Sequence, residues 1–162
     1  MKQLLLNTTS FAILRQNNAL YVDKTAQLQK LIQTGRKYFL YRPTGFGKSL
    51  TISTLSAMFC GRSDLFTGLA AEAWVKECAK NSYPVLDFNL ASLSTENAET
   101  FANELKNVLT SLAQNFSLKL SYTTLKESFA NLIRLIYQKF GSVVVFIDDF
   151  DVPITNCIDT DA

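Results

Sequence analysis

The run Val143-Val144-Val145-Phe146-Ile147 contains no polar residue and ends directly on Asp148-Asp149-Phe150-Asp151. A strand that is apolar in both of its alternating side-chain sets belongs in a sheet covered on both faces, and such sheets are mostly parallel. Parallel neighbours need long crossovers, usually helices. The rest of the chain has that rhythm. Helical spacing is expected over 25–34 (Leu28, Leu31, Ile32), 48–60 (Leu50, Leu55, Met58, Phe59), 69–80, 97–116 and 124–140, with Gly35 and Gly141 as stops. Residues 37–41, ended by Arg42-Pro43, and residues 83–88, with Pro84 at the start, read as two further strands. Strands separated by long helices predict an α/β layer fold with a largely parallel sheet.

Composition narrows the function classes. A chain of 162 residues with no repeat, low-complexity tract or Pro/Gly/Ser linker reads as one domain over 1–162. The net charge of +2 gives no support for a nucleic-acid partner. There is no histidine, and Cys60, Cys78 and Cys157 lie far apart, which argues against a zinc site or a histidine-based triad. Reduced thiols in a cytoplasmic protein are the plain expectation. The Leu4-Leu5-Leu6 run is too short for a signal-peptide core, and nothing approaches the roughly 18 apolar residues of a membrane span, so no membrane association is expected.

The segment Arg42-Pro43-Thr44-Gly45-Phe46-Gly47-Lys48-Ser49 stands between an expected strand and an expected helix. That is where a phosphate-binding loop belongs. Gly45 and Gly47 can take positive φ, turning successive N–H groups toward phosphate oxygens, and the helix start adds its own free N–H groups. The backbone of Thr44, Gly45, Phe46, Gly47, Lys48 and Ser49 would cradle the phosphates of ATP. Lys48 would reach the β- and γ-phosphates, and the Ser49 hydroxyl would ligate Mg2+. The usual pattern is G-x-x-x-x-G-K-[ST], and Arg42 occupies its first glycine position.

The second motif is the acidic end of the apolar strand, 100 positions after Lys48. In parallel sheets ligands bind beside the carboxyl ends of the strands. There Asp148 would hold magnesium, as in a Walker B strand, and a cation gives three clustered carboxylates a reason to coexist. Asp149 stands where many such enzymes place a glutamate to activate water. Aspartate is one methylene shorter, about 1.5 Å less reach, so binding is better supported than hydrolysis.

Four stretches in order then resemble the predicted AAA-type ATPases of bacteria, a family often joined to a C-terminal nuclease-like domain. Tyr21-Val22-Asp23-Lys24-Thr25 is similar to its Y-V-D-K-T, and Tyr38-Phe39-Leu40 with Arg42-Pro43 to its Y-F-L-x-R-P. Phe46-Gly47-Lys48-Ser49-Leu50 is similar to F-G-K-S-L, and Ile147-Asp148 with Asp151 and Pro153-Ile154 to I-D-E-Y-D-x-P-I. The resemblance covers about residues 10–156 and accounts for Arg42 in place of glycine. It implies a P-loop NTPase fold, three αβα layers around a mostly parallel sheet, with ATP and magnesium as ligands and Lys48 and Asp149 as catalytic groups. Departures are Thr44 and Gly45 where the family has two arginines, Asp149 for glutamate and Phe150 for tyrosine. The chain stops eleven residues past Asp151, the last acid of the Walker B segment, so the resemblance implies that the later sensor strand, arginine finger and nuclease-like domain fall outside it. The resemblance thus implies an incomplete sheet whose strand edges invite self-association.

Asp23-Lys24-Thr25 reads as a contact near the adenine or ribose, or as a helix N-cap, which local chemistry favours. Three functions compete at this level: an ATP-binding AAA-type domain with slow hydrolysis, an inactive nucleotide-sensing or partner-binding module, and a small-molecule kinase. The last lacks an arginine-rich lid and an acceptor motif.

Overall fold

The computed structural model describes residues 3–5, 8–121 and 124–158, with Cys157 and Ile158 as backbone only. The Cys157 thiol and the Leu6 end of the N-terminal leucine run lie outside the described residues. The chain divides into two compact units, Met1–Tyr83 and Pro84–Ala162.

The first unit carries helices α1 (Phe11–Gln16), α2 (Thr25–Thr34), α3 (Lys48–Phe59) and α4 (Glu72–Cys78), with 3₁₀ turns at Ser63–Phe66 and Ala79–Asn81. Phe11, Leu14, Leu55, Met58, Phe66 and Val75 are buried and make its core. The Phe11 ring sits 4.8 Å from that of Phe66 and 5.1 Å from that of Tyr21, centroid to centroid. Its main-chain N–H donates to Ser53 Oγ on α3 at 2.9 Å, fixing α1 on α3. Burying a side chain of this size is worth about 1.5–3 kcal/mol. The ion pairs Arg62–Asp64, Lys76–Glu72 and Lys80–Glu77 lie at the surface, where solvent screening leaves them little net stabilisation. The core, not the charges, holds this unit together.

The strand expected over 37–41 is not formed. The segment is irregular, and Phe39 and Tyr41 are 72% and 84% exposed. A strand needs a neighbouring ladder, and none pairs with this segment among the described residues. Tyr38 turns back instead. Its hydroxyl donates to the Leu31 carbonyl at 2.5 Å, satisfying one of the orphan acceptors at the end of α2. The hydroxyl lies 2.6 Å from where a Cβ on Gly35 would be, so Gly35 stops α2 by leaving room for Tyr38, in extended backbone.

The second unit has two strands, β1 (Val85–Asn89) and β2 (Val144–Asp148), paired in parallel from Val85↔Val144 to Asn89↔Asp148. The crossover runs through a 3₁₀ turn (Leu90–Ser92), α5 (Ala98–Asn115) and α6 (Leu125–Phe140), and α7 (Val152–Ile158) follows β2. Local signals set the helix bounds. Asn97 Oδ1 accepts from Thr100 N at 2.7 Å, Thr124 and Glu127 form a capping box, and Gly141 ends α6 with its N–H on Tyr137 O. Leu86 and Phe88 of β1 pack with Leu109 and Ala113 of α5 and Leu132 and Ile136 of α6.

Seven α-helices and a small parallel sheet make the described part a mixed α/β structure. The spans expected for α5 and α6 match within a residue, α4 is shorter than the 69–80 expected, and α1 and α7 were not foreseen. The expected burial of β2 on both faces is corrected. Val144, Val145 and Phe146 are half-buried and Ile147 is 48% exposed, because in a two-strand sheet every strand is an edge.

Candidate functional site

Residues 42–49 form a turn that delivers the chain into α3. Gly45 and Gly47 lie at φ 82° and 72°, in the left-handed region. A side chain there would meet nothing within 4 Å, so these glycines are required by backbone conformation rather than by space. For an L-residue that conformation costs roughly 1–2 kcal/mol. Gly47 is the N-cap of α3 and offers no side chain to its first turn. The N–H groups at the start of this 12-residue helix are thus left for another acceptor.

The side chains around the turn lean inward. Lys48 Nζ donates to the Arg42 carbonyl at 3.1 Å, across the mouth of the loop. The Arg42 guanidinium reaches forward to the Phe46 carbonyl, with Nη1 3.4 Å away. Phe46 N–H is directed back to Pro43 O at 3.3 Å, so of the expected cradle this one donor is engaged within the turn. The Phe46 ring is 66% exposed. Along α3, Thr51 and Thr54 spend their hydroxyls on the carbonyls of Gly47 and Leu50, both at 2.8 Å. The half-buried Ser49 hydroxyl has no hydrogen-bond partner among the described residues.

In the second unit, Asp148 closes β2 and is 6% exposed. Its Oδ1 accepts from Asp149 N at 3.1 Å. Across the sheet it pairs with Asn89, whose Oδ1 accepts from Ala91 N at 3.0 Å. Asp87 lies on the same sheet face, two residues before Asn89. Burial pushes the Asp87 carboxyl above its ordinary value, and the charge of Asp148 adds to that, although the residue keeps an open outer surface. Asp149 takes φ 51°, turning the chain sharply out of the strand, and its carbonyl accepts from Val152 N at 3.2 Å. Asp151 stands just before α7, its carbonyl accepting from the N–H groups of Ile154 and Thr155. Sequence reasoning passed over Asp87. The signal was present in the alternation of buried Leu86 and Phe88 with polar Asp87 and Asn89.

A family model described as "Predicted AAA-ATPase" matches residues 6–162. The chain belongs to this family. An uncharacterized protein in the vnfD 5′ region of Azotobacter chroococcum mcd 1 is 32% identical over 158 residues, covering 94% of this chain and 30% of the relative. The chain therefore spans about 30% of that relative's length. No solved structure matches it.

In this AAA-ATPase family chain the Asp23-Lys24-Thr25 segment is a structural staple. The α2 cap position is Lys24, which makes no side-chain cap, so neither Asp23 nor Thr25 is the N-cap that local chemistry favoured. Asp23 does the work from one residue earlier. Its Oδ1 accepts from Thr25 N at 2.8 Å and Thr25 Oγ at 2.7 Å, and its Oδ2 accepts from Ala70 N at 2.7 Å. Thr25 Oγ in turn accepts from Ala71 N at 3.0 Å. The segment thus joins the start of α2 to the turn before α4.

The loop's own donors fit a nucleotide in their chemistry: open N–H groups at a helix start, an ammonium and a guanidinium suit an anion, and the Ser49 hydroxyl suits a hard cation. Among the described residues no group of three or more His, Cys, Asp or Glu could hold a metal alone. No helix among the described residues is long and apolar enough to cross a membrane.

Proposed function

We propose that this chain is the nucleotide-binding part of an AAA-type P-loop NTPase, built on a three-layer αβα plan with a mostly parallel sheet, and that it takes ATP with magnesium. The backbone of Thr44 to Ser49 receives the phosphates, and Lys48 exchanges its Arg42 carbonyl for β- and γ-phosphate oxygens. On their sequence motifs, Ser49 of the first unit and Asp148 of the second would each offer the metal a protein oxygen. Asp149, which follows the strand-end acid with its backbone at φ 51°, would orient water for slow hydrolysis. Magnesium, when bound, neutralises charge between the terminal phosphates.

The observation that carries this reading is the loop. Among the described residues, two left-handed glycines, an ammonium bonded only to a neutral carbonyl, and an unpartnered hydroxyl stand together at a helix start without a side-chain cap. Family membership agrees with it. The test is magnesium-dependent binding of a fluorescent ATP analogue to the purified chain, with Lys48→Ala beside the wild type. A loss of about a hundredfold or more in the variant is expected, since a charged partner of phosphate contributes about 1.5–3 kcal/mol in hydrogen bonding before its longer-range attraction is counted. A folded wild type that binds no nucleotide would refute the assignment.

A further inference from the structure

We infer that Arg42 is itself a phosphate-binding residue of the loop, and not merely a tolerated replacement for the glycine that the common pattern has there. The inference rests on the nucleotide reading above.

Arg42 meets the loop at both ends. Its main-chain carbonyl is the acceptor for Lys48 Nζ at 3.1 Å, and its guanidinium has folded over the turn to the Phe46 carbonyl, Nη1 to oxygen 3.4 Å. The second contact is long for an N–H···O bond and uses one of five guanidinium donors. Among the described residues Arg42 has no other side-chain hydrogen bond and no carboxylate within ion-pair reach. Lys48 likewise lacks an anionic partner. Two cations therefore lean over one short turn, each resting on a neutral carbonyl, beside uncapped helix N–H groups.

A half-buried arginine on a single weak contact has more favourable partners available. A phosphate group offers charge-assisted and bidentate bonds that match the planar fork. In the loop as it stands, the Lys48 and Arg42 contacts hold the turn closed on itself. When phosphate enters, both side chains exchange carbonyl oxygen for phosphate oxygen, and the loop keeps its shape through the left-handed glycines. Arg42 is the one arginine between residues 37 and 61, so the segment has no other side chain of this kind to supply the fork.

The deciding variant is Arg42→Gly, which restores the glycine of the common loop pattern. Binding of the fluorescent ATP analogue with magnesium is measured for wild type, Arg42→Gly, Arg42→Gln and Arg42→Lys, across a series of potassium chloride concentrations. Arg42→Gly and Arg42→Gln are expected to bind about tenfold more weakly and to show a shallower dependence on salt. Arg42→Lys is expected to recover the salt dependence and only part of the affinity. Far-UV circular dichroism checks folding, and Arg42→Gln, which keeps most of the stem, decides the matter if Arg42→Gly does not fold. Binding by folded Arg42→Gly and Arg42→Gln as tight as wild type, with unchanged salt dependence, would overturn the inference while leaving the nucleotide site in place. Absence of binding by the wild type would instead overturn the nucleotide reading and this inference with it.

Discussion

Asp23 accepts a hydrogen bond from the main-chain N–H of Ala70 across 2.7 Å, joining two points 47 residues apart. Its other oxygen holds both the N–H and the hydroxyl of Thr25. Asp23→Ala leaves the buried Thr25 hydroxyl short of its acceptor and frees the turn before α4. A loss of about 2 kcal/mol is expected, near the middle of the range for bonds to a charged group, read as a lower melting temperature. Nucleotide affinity is expected to stay within a few-fold of wild type if the segment is a staple. A large loss of affinity with unchanged melting would instead place Asp23 at the ligand.

The same carboxylate makes the stability depend on pH. Burial disfavours the charged form of Asp23, but the N–H groups of Ala70 and Thr25 and the Thr25 hydroxyl outweigh it, and its pKa falls below the ordinary 3.8. A folded-state pKa that is depressed means stability present above the unfolded value and lost as pH drops through the folded one. The melting difference between wild type and Asp23→Ala is therefore expected to be full above pH 5 and to shrink below about pH 4 as the charge-dependent part is lost. A difference that stays constant down to pH 2 would show that the charge is not what the staple uses.

Asp87 works in the opposite sense. Burial, and then the charge of Asp148, raise its pKa above 3.8. A raised carboxyl pKa means that the folded state is disfavoured once the group ionises, so this cost is absent below 3.8 and grows as pH rises through the folded value. Asp87→Asn removes it. A gain below about 1 kcal/mol is expected at neutral pH, because the residue keeps much of its surface in solvent. Melting curves of the two proteins are expected to converge below pH 4. A neutral-pH loss in the asparagine variant would contradict the repulsion.

Gly47 tests the loop by conformation alone. At φ 72° with open space around it, Gly47→Ala adds no clash and keeps every side chain of the loop. It is expected to cost about 1–2 kcal/mol if the left-handed turn is kept. Denaturant unfolding measures that cost, and binding of the ATP analogue is expected to weaken with it as the N–H groups swing out of line. Unchanged stability and unchanged binding would show that the turn relaxes without consequence.

Much of this protein is written locally. The capping box of Thr124 and Glu127, the Asn97 cap and the Gly141 stop are decided by residues within a turn of one another, and α5 and α6 match their expected spans. The loop glycines are of the same kind, since a positive φ is a property of one residue and its neighbours. Asp148 after an apolar strand was legible for that reason too. What distant segments decide was not legible. Residues 37–41 have the composition of a strand, yet strand structure depends on a partner's hydrogen bonds, and the Tyr38 hydroxyl found the end of α2 instead.

The sequence by itself determined the long helices α5 and α6, the stop at Gly141, the glycines of the left-handed loop and the order of the two motifs, because each depends on contacts a few residues long. Only the tertiary structure decided that β1 and β2 pair with Asn89 opposite Asp148, that Asp87 shares a face with that acid, and that Asp23 holds Ala70. Those relations close loops of tens of residues, and local preference carries no information about which of many distant partners will be met.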